Sequence, residues 1–141
     1  MGNITPAGEN PFMVVLLGII FDPEKRQILI MRREDDEYIK KLKWAFPGGR
    51  ADSEDKLEDT LTRKVKEETG YNVEILGSVF ARIPPEKKDL VLVYYLCEVI
   101  GGEERAGHGA EELKWVKPEE LRKYFTTSFE PILEEYITNL K

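Results

Sequence analysis

Apolar residues gather in short runs rich in Val, Ile and Leu, and polar turns separate them. Phe12–Phe21 and Gln27–Arg33 are two such runs, joined by Asp22-Pro23-Glu24-Lys25-Arg26, whose residues favour chain reversal. Both are expected to be strands of a hairpin. Trp44-Ala45-Phe46 is a brief apolar return after a polar loop over Glu34–Lys43, and Pro47-Gly48-Gly49 reads as a sharp backbone break. Val73–Ile83 and Leu90–Ile100 flank Pro84–Asp89 as a second hairpin, and Leu113–Val116 is a short strand. One segment differs. Lys56–Thr69 contains neither Gly nor Pro, is rich in Leu, Glu and Lys, and stops at Gly70, the residue favoured just past a helix end. Asp55 with Glu58 three positions on matches a capping box at its start. Pro118 opens a short helix and Phe129–Leu140 closes the chain as an amphipathic one. The pattern predicts an α/β fold, a mixed sheet sandwiched between helices, built as a single domain over residues 1–141.

Composition narrows the partners more than the fold. With 21 Lys and Arg against 27 Asp and Glu, the 141-residue chain carries a net charge of −6. That balance argues against a binder of nucleic-acid polymers, which would present a basic surface to phosphates. Any phosphorylated partner must be met locally. Cys97 is the only cysteine, so neither an internal disulfide nor a cysteine zinc cluster can form, and a cytoplasmic setting is expected. The longest apolar run is about half of the roughly 20 residues that a membrane helix needs, so no membrane partner is expected.

The central helix carries the unusual chemistry. At about 100° per residue, Leu57, Leu61 and Val65 share one face, the expected core stripe. Glu68 falls only about 20° from Leu57, in the middle of that stripe, with Lys64 beside it and Glu67 to one side. A carboxylate on an apolar face must be protonated, paired with a cation or bound to metal. A plain helix-surface ion pair between Lys64 and Glu68, four residues apart, is the simpler alternative. Two Glu carboxylates and an exposed carbonyl in the Gly48-Gly49 turn are hard oxygen ligands, suited to Mg²⁺ or Mn²⁺.

Gly49 to Tyr71, GRADSEDKLEDTLTRKVKEETGY, resembles the Nudix box Gx5Ex7REUxEExGU, in which U is apolar. Gly49, Arg63, Val65, Glu67, Glu68 and Gly70 fall in register, and Tyr71 holds the last apolar position. Asp55 stands where the box has its first Glu, and Lys64 stands where it has the first Glu of REUxEE. The chain is thereby identified as resembling Nudix hydrolases, and the fold implied is the Nudix α/β/α sandwich.

The resemblance implies a hydrolase that uses Mg²⁺ or Mn²⁺ and water to cleave a nucleoside diphosphate linked to another group. Nucleoside triphosphates and ADP-ribose-like compounds are the expected substrates. It implies Glu67, Glu68 and the Gly48 carbonyl as metal ligands, and Arg63 as the residue orienting Glu67 or Glu68. Glu68 counts also among the catalytic residues. A base is implied in the loop before the last strand, where Glu111 stands, with Glu112 and His108 as alternatives. For phosphate contacts the candidates are Arg50 and one of Arg32 and Arg33, since strand alternation sends these two to opposite faces; Arg33 is taken. The absent Glu at position 64 implies fewer ions or a relocated base. Pro47-Gly48-Gly49-Arg50 with that absence also resembles the GDP-mannose mannosyl hydrolase branch, so a nucleotide sugar is an alternative substrate. Pro84 and Pro85 only nearly match the proline expected in the ADP-ribose pyrophosphatase branch. A catalytically inactive nucleotide-binding module is the other alternative, and a homodimer is a family habit. Phe80, Tyr94 and Tyr95 are read as core residues ahead of base-stacking ones.

Overall fold

A computed structural model describes residues 11–33, 43–51 and 56–141. Strand β1 (Met13–Asp22) is buried along both faces, with Val15, Ile19 and Phe21 alternating against Leu16 and Ile20. Only a strand covered on both sides has that pattern. β1 runs parallel to β6 (Leu90–Gly102) from Met13↔Leu90 to Ile20↔Cys97. It then leaves β6 and meets β2 (Gln27–Arg32) at Phe21↔Ile28, closing the expected hairpin. β2 in turn pairs with β3 (Trp44–Ala45) and β7 (Glu112–Val116), while β5 (Tyr71–Arg82) lies antiparallel to β6. Among the described residues a single parallel pair within otherwise antiparallel pairing makes the sheet mixed, as expected.

Helices cover both faces. Helix α1 (Leu57–Thr69) sets Leu61 and Val65 on Leu16, Ile20, Leu29 and Cys97. On the opposite face, Leu121 of α2 (Leu121–Tyr124) and Leu133 and Ile137 of α3 (Pro131–Thr138) join Val15, Ile19, Ile28 and Ile30. Tyr95 is buried in the α1 core and Tyr94 in the opposite one, where Phe80 packs against it.

Three details depart from the sequence reading. The Pro47-Gly48-Gly49 break is the entry to a strand, β4 (Gly48–Arg50), paired with Val15–Leu17 of β1. Leu57 is 42% exposed, because the helix reaches the sheet only a turn later, at Thr60 and Leu61. The last helix begins at Pro131, with Glu130 as its cap accepting from the Ile132 N–H, since Pro suits the first helical position. Pro118–Glu120 forms a 3₁₀ turn before α2. The proposed capping box at Asp55 lies outside the described residues. No helix among those described is long and apolar enough to cross a membrane.

Candidate active site

Strand β4 and the last turn of α1 meet at Gly48 and Glu68. Gly48 has φ of +150°, and a Cβ there would stand 1.9 Å from the Leu16 carbonyl oxygen, so only glycine lets β4 close on β1. The other end of the unit is also fixed. Gly70 turns left-handed to end α1, donating to the Lys66 carbonyl at 2.9 Å. From the loop between β6 and β7, Arg105 and Gly107 donate to the Thr69 and Glu68 carbonyls at 2.8 and 3.1 Å. Carbonyls that a helix end leaves open are thus satisfied, and the turn carrying both glutamates is held.

Glu68 points inward, its side chain only 7% exposed. Its Oε1 accepts from the Gly48 N–H at 2.8 Å, and its Oε2 lies 3.3 Å from Arg33 Nη2. The same Nη2 reaches the Gly48 carbonyl at 3.4 Å. Burial pushes the Glu68 carboxyl from 4.5 up to about 7, against the opposing pull of Arg33, the Gly48 N–H and Lys64, while Glu67 adds to the rise.

A carboxyl raised in the folded state binds its proton more tightly there than in the unfolded chain. Its contribution to stability is therefore complete below pH 4.5 and is lost as pH rises through 7. In chelator, the melting temperature of the metal-free protein should fall over that window relative to Glu68→Gln. A pH-independent difference between the two melting curves would contradict this origin.

The other candidates are arranged around this pair. Glu67 is partly exposed and lies one helical turn from Arg63, with Nη1 to Oε2 at 3.7 Å. Lys64 lays its stem along Gly49, where an added Cβ would meet Lys64 Cδ at 3.1 Å. Arg50 is exposed at the end of β4, opposite Val15. Arg32 turns away from Arg33, pairing with Glu111 at 2.8 Å and Glu112 at 3.2 Å. The structure thus holds Glu111 on Arg32 and not on Glu68 or Arg33. His108 is exposed in a turn with φ of 46°.

Sequence reasoning missed the Arg32 partnership, which the Arg32↔Glu112 strand register creates. It also missed Arg82, which donates to the Ser128 Oγ and carbonyl at 3.1 Å each and to the Tyr94 hydroxyl at 3.2 Å. That network borders a cavity of about 60 Å³ lined by Trp44, Phe46, Phe125 and Phe129. The buried Cys97 thiol is pushed up to about 12 and is no nucleophile near neutral pH.

Among the described residues no cluster of three His, Cys, Asp or Glu side chains is present. Two adjacent carboxylates and a backbone carbonyl nevertheless make an all-oxygen donor set. Such a set fits a hard divalent cation that keeps water and phosphate in its remaining positions.

Fold and motif together define an α/β/α protein whose site lies where β4, laid on β1, meets the last turn of α1. The NUDIX domain family model matches residues 11–136, and the chain belongs to that family. Among its relatives, a Bacillus subtilis protein named putative 8-oxo-dGTP diphosphatase is 32% identical over 99 residues, covering 70% of this chain. The ADP-ribose pyrophosphatase of Methanocaldococcus jannaschii is 28% identical over 127 residues, 88% of the chain. The match spans 62% of the Bacillus protein's length and 72% of the Methanocaldococcus one. The crystal structure of a MutT protein from Methanosarcina mazei has the same fold, with a TM-score of 0.66, 23% identity and 92% of each chain covered. Nudix hydrolases generally need divalent metal ions.

Proposed function

We propose that this protein is a divalent-cation-dependent hydrolase of a phosphoanhydride bond in a nucleoside diphosphate derivative. Nucleoside triphosphates and ADP-ribose-like compounds are its substrate class, with nucleotide sugars as the alternative. The observation carrying this reading is the inward Glu68 carboxylate, fixed between the Gly48 N–H and Arg33 at the end of a Nudix helix. The names of the two relatives, a diphosphatase and a pyrophosphatase, support the same bond type.

Glu67, Glu68 and the Gly48 carbonyl would hold Mg²⁺ or Mn²⁺. When bound, the ion neutralises pyrophosphate charge and lowers the pKa of water. Arg63, within 3.7 Å of Glu67, orients that carboxylate. Arg33 and Arg50 receive the substrate phosphates. Glu111, paired with Arg32 at 2.8 Å, would have to leave that partner to take the proton from the attacking water. Water adds across the P–O–P bridge, leaving two phosphate-terminated products. A cytoplasmic setting and a homodimer complete the reading.

The test is product analysis on a panel of nucleoside triphosphates, ADP-ribose and GDP-sugars with Mg²⁺ or Mn²⁺. Cation-dependent release of nucleoside monophosphate is expected. Absence of turnover across the panel, with folded protein, would sink the hydrolase reading.

A second reading, a nucleotide-binding module without turnover, is favoured by one observation: Lys64 packs on Gly49 and its charge acts on Glu68. It predicts that nucleotide binds without added metal, and that Lys64→Glu creates turnover where none existed. If wild type turns over and Lys64→Glu gains nothing, Lys64 is no block to the reaction.

A further inference from the structure

We propose that Arg33 is the resident counter-ion of the cation site, holding the oxygens that a divalent ion takes and swinging to the substrate phosphate when the ion enters. This rests on the cation-site reading above. One nitrogen, Arg33 Nη2, touches two of the three groups assigned to the ion, Glu68 through Oε2 at 3.3 Å and the Gly48 carbonyl at 3.4 Å. Among the described residues, Arg33 is the one cation in ion-pair contact with Glu68.

The physical reason is the burial of Glu68. A carboxylate this enclosed is costly without a positive partner, so the metal-free protein supplies one from its own chain. A divalent ion and a guanidinium compete for the same oxygens, and their mutual repulsion drives one of them out. Arg33 is suited to leaving. Its main chain is anchored by its N–H on the Lys43 carbonyl at 2.7 Å, so the long side chain alone has to move. It sits one residue beyond β2, and its side chain is 22% exposed, so solvent and a phosphate lie within reach. A guanidinium is also well shaped for phosphate oxygens.

The consequence is reciprocal coupling. A phosphate that draws Arg33 off Glu68 makes room for the ion, and an ion that displaces Arg33 frees it for phosphate. Arginine at this position therefore weakens ion binding in the free protein and strengthens substrate binding in the loaded one. A residue that merely props the site would strengthen both.

The test measures Mn²⁺ affinity of the substrate-free protein by electron paramagnetic resonance, under argon at pH 8.5, where protons compete little for Glu68. Arg33→Gln should bind Mn²⁺ about tenfold more tightly than wild type, a usual size for coupling between sites. Arg33→Lys should fall between the two. At saturating Mn²⁺, KM for the best panel substrate should rise at least about tenfold in Arg33→Gln. Equal or weaker Mn²⁺ binding by Arg33→Gln overturns the proposal. If that variant does not fold, Arg33→Lys decides on the same criterion. Absence of Mn²⁺ binding by wild type and both variants overturns the cation-site reading itself.

Discussion

Glu68→Gln should lower turnover by at least about 10³-fold, roughly 4 kcal/mol of transition-state stabilisation at 1.36 kcal/mol per factor of ten. The amide keeps an oxygen to accept the Gly48 N–H, so the local hydrogen bond survives while the charge that would hold a cation is gone. Stability should not suffer. Burial disfavours the ionised Glu68, which is why its carboxyl rises to about 7, and a neutral amide removes that penalty above this pH. The expected result is a folded, inactive protein whose melting temperature at pH 8 equals or exceeds that of wild type. Steady-state kinetics on the best substrate, beside thermal melts in chelator, checks both halves. Turnover within tenfold of wild type would remove Glu68 from the machinery, and a collapse of the melt would make its role structural.

Gly48→Ala should be the most damaging single methyl addition on β4. Its Cβ would meet Leu16 O at 1.9 Å, Leu16 C at 2.9 Å and Leu17 Cα at 3.0 Å, all backbone atoms of the central strand. A neighbouring side chain can rotate away, but a paired strand cannot. The pairing of Leu17 with Gly48 must open, and the Gly48 N–H then leaves Glu68. A loss of about 3 kcal/mol or more is expected, seen as a melting point lower by roughly 10 °C, together with loss of turnover. Gly49→Ala is the control. The three atoms nearest its Cβ all belong to the Lys64 side chain, the first at 3.1 Å, and a flexible lysine stem gives way. Equal melting points for the two variants would refute the argument.

Helix α1 was legible because its signals are local: a run free of Gly and Pro, a Gly stop, and charges whose spacing places Glu68 on the inner face. The same local reasoning misplaced Leu57. Periodicity gives the direction of a side chain around the axis, and the distance to the sheet at each turn is a tertiary quantity. The stretch at Pro47-Gly48-Gly49 was misread for a related reason. Glycine marks a position where backbone approaches backbone, without saying whether the approach is a turn or, as here, a strand laid on Leu16.

Strand alternation separated Arg32 from Arg33 from the sequence alone, since neighbouring residues on a strand face opposite ways. Which arginine meets Glu68 required the fold, because the partners are 35 positions apart in the chain. The link from Arg32 to Glu111, 79 positions away, likewise exists only through the pairing of β2 with β7. By itself the sequence determined the family motif, the helix and the inward carboxylate, all set by spacings within one or two turns. The tertiary structure decided which cation and which backbone N–H face that carboxylate. Strand register sets contacts between residues far apart in the chain, and no local period encodes it.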